Sequence, residues 1–339
     1  MGLNQLSNSM IPAIEKELQR QVSRLDETHT RSFFEMLTYH MGWTGKDLGS
    51  GVTGKRIRPL MLLLVVAGCG KDIKWLHAIS AAAAIELVHN FSLVHDDIQD
   101  NSETRRGRPT AWTIWGVPMA INIGDALFSI SSQATMDLKD FYPAETVIKV
   151  ASVLHNTCLD LTRGQFLDMS FENRTDLSVE DYWPMITGKT ASLLSAACYI
   201  GSILGGSDEG TQDAYRSFGH ALGLAFQVQD DILGIWGDEA ITGKSTASDL
   251  LERKNSLPIL IGLSKNGDFK KRWGIGPIEP EEVEEVAQML ANEGAYDQTY
   301  AISEQMTLLA LNNLREANPL GDAGIALSEL ANKLMKREN

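Results

Sequence analysis

One long helical segment, residues 73 to about 102, constrains the fold of this chain more than any other stretch. Its middle, AISAAAAIELVHNFSLVH, is apolar on nearly every side of a helix, and such helices are buried. The segment ends with Asp96, Asp97 and Asp100. Asp96 and Asp100 lie one helical turn apart on one face, and Asp97 lies about 100° round the axis. We therefore expect a buried helix whose carboxylates open into an interior cavity.

Three arginines, at positions 105, 106 and 108, follow these aspartates directly. A solvated helix end also explains such charges, since an exposed i,i+4 aspartate pair costs only ~0.2 to 0.5 kcal/mol. In a cleft, two carboxylates ~6 Å apart repel by roughly 3 kcal/mol at an effective dielectric constant near 20, and only a cation relieves this. Burial therefore decides between a solvated helix end and divalent metal that binds a polyanion, with the arginines contacting the remaining negative charge, and this stretch alone leaves both interpretations open.

The rest of the chain also predicts helices. Helical periodicity covers residues 10 to 40 as two amphipathic helices, then 59 to 68, a segment from about 118, 144 to 172, a segment from Ser178, and 208 to 236. The last hundred residues give three or more helices. No segment alternates apolar and polar residues convincingly, and no long linker divides the chain. We predict an all-α fold, a single large helical bundle in one domain over residues 1–339.

Composition excludes several classes of function. The chain has 30 basic and 44 acidic residues and a net charge of −14, which argues against nonspecific nucleic-acid binding. Cys69, Cys158 and Cys198 are scattered without metal-ligand spacing, which is typical of buried thiols in a reducing compartment. The longest apolar run, PLMLLLVVAGC, is about half of the ~20 residues that span a bilayer. We expect no transmembrane segment and a cytoplasmic protein.

Lys55, Arg56 and Arg58 form a compact basic cluster at a glycine-rich turn. The preceding glycines mimic a nucleotide-binding phosphate loop, but Arg56 stands where Ser or Thr is required and no strand precedes it. The GK pair at 243 and 244 also lacks the glycine spacing. The basic cluster can instead bind a diphosphate without metal, or it is a solvated basic loop.

A second acidic pair, Asp230 and Asp231, lies in the otherwise apolar stretch FQVQDDILGIWGD. Two acidic sites on separate apolar helices, together with two basic clusters, could hold several divalent ions around one diphosphate and provide a cationic site for another. A calcium-binding EF-hand is excluded, because DIQDNSETRRGR lacks the glycine and the terminal glutamate of that loop. Isolated histidines such as His89 and His95 on an apolar helix are more often structural.

These motifs together resemble the trans-isoprenyl diphosphate synthases, also called polyprenyl synthetases, which are all-helical, magnesium-dependent prenyltransferases. The resemblance covers nearly the whole chain, from GKRIRP through HNFSLVHDDIQDNSETRRGRPT, GQFLD, TGKTASL and FQVQDDILGIWGD to TGKSTASDLLERKNS, in the family's order. It implies an isoprenoid-synthase bundle around a central cavity. It also implies a homodimer that condenses isopentenyl diphosphate with an allylic diphosphate.

The resemblance implies a role for each matching residue. Asp96 and Asp100, with Asp97 beside them, correspond to the ligands of two magnesium ions on the allylic diphosphate. Asp230 corresponds to the ligand of a third ion, supported by Asp231 and Asp238. The direct partners of the allylic diphosphate would be Arg105, Lys189, Lys244 and Lys254. The metal-free isopentenyl diphosphate site would comprise Lys55, Arg58, His89 and Arg106. Thr190 and Gln227 would line the reacting carbons, with Gln165 and Asp168 in support.

The chemistry agrees with this assignment. Breaking an allylic C–O bond gives a delocalised cation and a diphosphate anion, so metal ions and cationic side chains stabilise the leaving group. The pi bond of isopentenyl diphosphate attacks the cation, and a proton is lost to the departing diphosphate without a side-chain base. The chain departs from the fullest family pattern at Gly234, where a DDxxD motif has its last aspartate. We expect weakened metal support at most.

Product length should depend on the residues upstream of Asp96. Phe91 and Ser92 lie five and four residues earlier, about 6 to 7.5 Å deeper along the helix. In the family, an aromatic and a small residue at these positions resemble enzymes that stop near C20, such as geranylgeranyl diphosphate synthases. The alternatives are a farnesyl or longer-chain synthase, a class I terpene cyclase, and a non-catalytic subunit of a heteromeric synthase. Lys55, Arg58 and Arg106 argue against the cyclase, and the intact acidic motifs argue against the subunit.

Overall fold

The computed structural model describes residues 2–45, 50–70, 74–172, 174–237 and 247–336. The longer α-helices are Leu3–Val22, Arg31–His40, Ile57–Gly68, Ile79–Gln99, Val117–Met136, Ala144–Phe171, Ser192–Leu204, Glu209–Trp236, Val283–Asn292, Ala295–Ala317 and Gly321–Lys336. The shorter ones are Ser50–Thr53, Ala111–Trp115, Val179–Ile186, Ser248–Leu251, Leu257–Ser264 and Asp268–Trp273. Short 3-10 helices are Ser23–Leu25, Thr28–Thr30, Trp75–Ala78, Asp137–Asp140 and Pro280–Glu282, and Thr187–Ala191 is a π-helical turn. The prediction of an all-α fold is confirmed.

A small β-hairpin was not expected from the sequence. Thr104–Arg105 pairs antiparallel with Arg108–Pro109, directly after the acidic end of the Ile79–Gln99 helix. Strands of two residues are too short to show the alternating pattern by which strands are recognised. The hairpin holds the arginines that follow the aspartates in the sequence.

The chain forms two compact units. Unit 1 comprises Met1–Leu159, Leu193–Arg216 and Leu314–Leu330. Unit 2 comprises Asp160–Ser192, Ser217–Asn313 and Ala331–Asn339. The prediction of a single domain over residues 1–339 stays a prediction.

The core of unit 1 surrounds the Ile79–Gln99 helix, hereafter the central helix. Every side chain from Ala81 to Val88 is buried, as apolar composition predicts for all of them except Glu86. The central helix packs against the helices Leu3–Val22, Ile57–Gly68 and Val117–Met136. The segment Trp75–Gln99 is apolar and long enough to cross a membrane by length and composition, yet 67% of its most apolar window is buried within the protein. That burial is what a core helix shows.

An ion-pair cluster in unit 1 ties the first helix to the Val117–Met136 helix. The Asp137 carboxylate accepts hydrogen bonds from Gln21 Nε2 and Arg20 Nη2, both at 2.8 Å, and from Arg24 Nη2 at 2.5 Å. Partial burial would raise the pKa of Asp137, but these hydrogen bonds outweigh it and lower the pKa. The cluster therefore stabilises unit 1 as long as Asp137 is ionised.

Unit 2 has its own apolar core, with Tyr182, Val228, Leu260, Phe269 and Leu290 among its buried members. The Val179–Ile186 helix begins as the sequence predicts, because Ser178 and Asp181 form a capping box in which the Ser178 backbone N–H donates to the Asp181 carboxylate at 2.9 Å. This helix continues into the π-helical turn Thr187–Ala191 and then into Ser192–Leu204. Such turns often occur at functional sites, and this one carries the TGKT motif.

Candidate active site

The three aspartates of the central helix have different surroundings. Asp97 is only 2% exposed, and Arg105 contacts its Oδ1 through Nε and Nη2, both at 2.7 Å. Burial raises the pKa of Asp97, and the Arg105 charge opposes this rise. Asp96 is half-buried and Asp100 is exposed at the end of the helix. The predicted metal ligands are thus the more open carboxylates, while Asp97 holds Arg105.

The position of these carboxylates is itself unfavourable. They occupy the last turn of the central helix, where the helix dipole presents its negative end and disfavours an anion by about 0.3 to 1 kcal/mol. A nearby cation offsets both this effect and the mutual repulsion of Asp96 and Asp100. Magnesium is commonly held by one or two carboxylates together with substrate phosphates, so this pair of oxygen donors fits magnesium bound with a diphosphate.

Arg106 lies at the tip of the hairpin, in the left-handed backbone region with φ of 53°. Its Nη1 donates to the Val52 carbonyl oxygen at 3.0 Å. Gly54, with φ of 82°, permits this approach, because a Cβ at that position would lie 2.7 Å from Arg106 Nη2. The structure therefore brings Arg106 beside the turn that carries Lys55, whose side chain is exposed.

Arg58 and His89 meet inside unit 1. Arg58 Nη1 lies 3.2 Å from His89 Nε2, and Arg58 Nε is buried and has no hydrogen-bond partner among the described residues. Burial, followed by the positive charge of Arg58, lowers the pKa of His89 well below its ordinary value. His89 is therefore neutral at physiological pH and accepts the Arg58 hydrogen bond. The unsatisfied Nε donor of a buried guanidinium is suited to an anionic ligand.

Arg56 does not belong to an accessible basic cluster, so this part of the sequence interpretation is wrong. Its side chain is 1% exposed and contacts Glu15 at 2.5 Å and Glu86 at 2.8 Å. Burial would lower the pKa of Arg56, but the two carboxylates outweigh it and raise the pKa. Arg56 is committed to the core because its acidic partners lie on the first helix and on the central helix.

In unit 2, the two residues of the second acidic pair also differ. Asp230 is half-buried, whereas Asp231 is 4% exposed and accepts hydrogen bonds from Tyr182, Gln227 and the backbone N–H of Leu257. Burial raises the pKa of Asp231 to about 7. The predicted ligand Asp230 is thus the more accessible of the two.

The π-helical turn holds two further predicted residues. The Lys189 ammonium donates to the Asp168 carboxylate, and the Thr190 hydroxyl donates to Gln227 Oε1 at 2.7 Å. Glycines allow the turn to touch the Ala144–Phe171 helix, since a Cβ on Gly188 would lie 2.8 Å from the backbone of Gly164. Asp168 therefore partners Lys189, and its supporting role at the site stays a prediction.

Comparison with known proteins decides the family. A sequence model described as polyprenyl synthetase matches residues 48–292. The geranylgeranyl diphosphate synthase of Mycobacterium tuberculosis is 42% identical over 69% of this chain and 66% of that protein. A short chain isoprenyl diphosphate synthase of Methanothermobacter thermautotrophicus is 37% identical over 84% of this chain and 87% of that protein. The chain belongs to the polyprenyl synthetase family.

Solved structures of this family agree with the fold. A polyprenyl synthetase from Streptomyces coelicolor has a TM-score of 0.88 and 32% identity, and covers 98% of this chain and 99% of its own. The geranylgeranyl pyrophosphate synthetase of Pyrococcus horikoshii has a TM-score of 0.87 and 33% identity, with 99% of both chains covered. The predictions of an isoprenoid-synthase helical bundle and of a trans-prenyltransferase are confirmed.

The Asp249 carboxyl group lies beside Gly234, the position at which the fullest form of the family motif has its last aspartate. A Cβ on Gly234 would lie within 2.8 Å of all three heavy atoms of the Asp249 carboxyl group. Asp249 is 7% exposed and belongs to the Ser248–Leu251 helix, and Lys254 Nζ lies 3.9 Å from its Oδ1. A carboxylate therefore occupies the space beside Gly234. Sequence reasoning missed it because the motif is counted along one helix.

The proposed product-length residues lie one turn deeper on the central helix. The Phe91 ring is 5.2 Å from the Phe128 ring and 5.7 Å from the His95 ring, measured between centroids. Ser92 Oγ donates to the His89 carbonyl oxygen at 2.9 Å. Phe91 thus belongs to an aromatic layer, and its role in product length stays a prediction. Asp238 and Lys244 lie outside the described residues.

Proposed function

We propose that this polyprenyl synthetase is a geranylgeranyl diphosphate synthase, which extends an allylic diphosphate with isopentenyl diphosphate to a C20 product. The observation that carries the proposal is the pairing of Arg58 with His89, in which Arg58 Nε is a buried donor without a hydrogen-bond partner in the described part of the chain. Such a metal-free site suits a second diphosphate, which a cyclase does not need. Identity of 42% to a geranylgeranyl diphosphate synthase supports the C20 product.

The site residues divide the work of the reaction. Asp96, Asp100 and Asp230 would hold three magnesium ions, which supply positive charge to the leaving diphosphate. Arg105, Lys189, Lys244 and Lys254 would bind the same diphosphate as it takes both electrons of the breaking C–O bond. Isopentenyl diphosphate would be oriented by Lys55, Arg58, His89 and Arg106. Its pi electrons form the new C–C bond, and the diphosphate that left the allylic substrate then accepts the released proton.

We also propose that the enzyme is a cytoplasmic homodimer. Large apolar side chains of unit 1 face outward, with Val117, Met119 and Ile121 each 40 to 42% exposed and Ile148 68% exposed. Where exposed apolar side chains form a patch, that patch is often covered by another protein, and we propose a second copy of this chain as the partner. Analytical ultracentrifugation tests the proposal, since a monomer at micromolar concentration would contradict it.

Product analysis tests the proposed activity. The purified chain is incubated with magnesium, isopentenyl diphosphate and a C5, C10 or C15 allylic diphosphate, and the products are separated by chain length. We expect C20 to dominate, whereas a C15 or longer product would favour a farnesyl or long-chain synthase. A hydrocarbon released from farnesyl diphosphate without isopentenyl diphosphate would favour the cyclase, and inactivity of the purified chain would favour a heteromeric subunit.

A substitution at the second diphosphate site sharpens the test. Arg58→Met removes the guanidinium but keeps much of the buried stem, so we expect the KM for isopentenyl diphosphate to rise more than the KM for the allylic substrate. The matched control is Arg163→Met, because the Arg163 side chain is 74% exposed and, among the described residues, forms an ion pair with Asp160. Equal increases in both KM values would contradict the assignment of Arg58.

A further inference from the structure

Asp231 lies at the centre of a hydrogen-bonded chain inside unit 2. Its Oδ2 accepts from the Tyr182 hydroxyl at 2.7 Å and from the Leu257 backbone N–H at 2.8 Å, and its Oδ1 accepts from Gln227 Nε2 at 2.9 Å. Gln227 Oε1 in turn accepts from the Thr190 hydroxyl at 2.7 Å. These residues come from separate elements, so the hydrogen-bonded chain joins the Val179–Ile186 helix, the Glu209–Trp236 helix that carries Asp231, and the π-helical turn.

The chemistry of these groups gives the chain one direction. When ionised, the Asp231 carboxylate only accepts hydrogen bonds, so in this form it requires the NH₂ end of the Gln227 amide. The carbonyl end of Gln227 must then face Thr190, which can satisfy it only by donating its hydroxyl proton. With that proton committed to Gln227, the lone pairs of Thr190 Oγ1 remain available on its other sides. The orientation of the Thr190 hydroxyl is therefore determined by Asp231, which it does not touch.

We propose that Asp231 and Tyr182 are positioning residues, which orient Gln227 and, through it, the Thr190 oxygen toward the reacting allylic carbons. The inference rests on the proposed function for the location of Thr190 and Gln227. An oxygen lone pair held toward a developing carbocation stabilises it, whereas a hydroxyl proton in the same place repels it. Asp231 thus acts on the reaction from within the core, rather than as a support for a metal ion.

The Asp231→Asn variant separates this role from a structural one. The Leu257 N–H can only donate, so the oxygen of the new amide must take the Oδ2 position and its NH₂ group must face Gln227. Two NH₂ groups cannot pair, and the Gln227 amide turns over to present its oxygen. Its NH₂ end then faces Thr190, whose hydroxyl changes from donor to acceptor. The hydrogen bonds are kept, but the direction of the chain is reversed.

A second substitution should restore the direction. In the double variant Asp231→Asn with Gln227→Glu, the new carboxylate accepts from the amide at 231 and from the Thr190 hydroxyl, as Gln227 does in the parent. Gln227→Glu alone would place two carboxylates against each other and should be the most damaging change. The controls are Asp268→Asn and Tyr300→Phe, because Asp268 is 77% exposed at its side chain and Tyr300 is 45% exposed.

Steady-state kinetics at saturating magnesium gives the main readout. We expect Asp231→Asn to lower kcat roughly 10- to 100-fold, because displaced or misoriented catalytic groups reduce rates by about this much. Both KM values should change less than about threefold. Tyr182→Phe should lower kcat by less, since two donors to Asp231 remain. The kcat of the double variant should be about tenfold higher than that of Asp231→Asn alone. If magnesium titration instead restores the full kcat of Asp231→Asn, or if the double variant regains nothing, the proposal is overturned.

A spectroscopic measurement tests the hydrogen-bonded chain without reference to turnover. In protein labelled with ¹⁵N at glutamine side chains, the Gln227 amide signal should shift in Asp231→Asn and Tyr182→Phe and stay in place in the Asp268→Asn control. An unmoved Gln227 signal in Asp231→Asn would overturn the inference. If the parent enzyme forms a product other than C20, the proposed function fails, while this result still reports on the chain of hydrogen bonds.

Discussion

Replacing Gly164 by alanine tests the close approach between the Ala144–Phe171 helix and the π-helical turn. The new Cβ would lie 2.6 Å from the Gly188 carbonyl carbon, and the Lys189 nitrogen is nearer still. These are backbone atoms, so no side chain can rotate away. The two segments must separate by at least 0.8 Å for the Gly188 carbon to reach the 3.4 Å of an ordinary contact. Lys189 and Thr190 would move with the turn.

Two effects on stability oppose each other in this variant. Alanine in a helix interior is favoured over glycine by about 0.5 to 1 kcal/mol. Overpacking against rigid backbone costs about 1 to 3 kcal/mol. We therefore expect a net decrease of about 1 to 2 kcal/mol in the free energy of unfolding. A displacement near 1 Å in a catalytic group lowers activity by up to about 100-fold. The kcat should therefore fall by more than the loss of folded protein explains.

Urea denaturation and steady-state kinetics with the allylic substrate measure the two effects. The matched control is Gly210→Ala, because Gly210 also lies in a helix and a Cβ there would meet one atom, Asp208 Oδ1, at 3.3 Å. That variant should be as stable as the parent or up to about 1 kcal/mol more stable, with unchanged kcat. If Gly164→Ala behaves like Gly210→Ala, the reasoning about the close approach is refuted.

Three further substitutions have defined outcomes. Asp137→Asn should lower the free energy of unfolding by about 1 kcal/mol at pH 7 in urea denaturation. Because the pKa of Asp137 is lowered in the folded state, its contribution is present above its unfolded pKa near 3.9, and the difference from the parent should vanish as pH falls through the folded pKa. Phe91→Ala should shift the products beyond C20 in chromatography, and an unchanged distribution would contradict the role of Phe91. Gly234→Asp should lower the melting temperature in calorimetry, since the Asp249 carboxyl group occupies the required space, and adding Asp249→Ala should reverse much of this loss.

The sequence predicts the local features of this protein well. Helices near 144 to 172 and 208 to 236 are found as Ala144–Phe171 and Glu209–Trp236, and the Ser178 capping box is present. These features depend on residues within a few turns of each other, so periodicity and capping patterns reveal them. Within the described residues, the helix predicted from 73 to about 102 is an α-helix over Ile79–Gln99, after the 3-10 turn Trp75–Ala78.

Contacts between distant segments could not be predicted in the same way. Arg56 was interpreted as part of a basic cluster because Glu15 and Glu86 are far from it in the sequence. Tyr182 carries no motif, and only the fold brings its hydroxyl to Asp231. Residue patterns report composition and spacing, whereas the partner of a buried charge is set by how helices pack. The resemblance to a family located the candidate residues but did not show which carboxylates turn inward.

Gly234 shows why a motif and a site are different things. In a helix, residue 234 lies one turn beyond Asp230 on the same face, so the sequence predicts that this face loses one carboxylate. In space, Asp249 brings its carboxyl group to the side of Gly234 from another helix. An aspartate at 234 would compete with Asp249 for the same volume and add a like charge beside it. Glycine at 234 therefore leaves room for the Asp249 carboxyl group, and the expectation of weakened metal support stays a prediction.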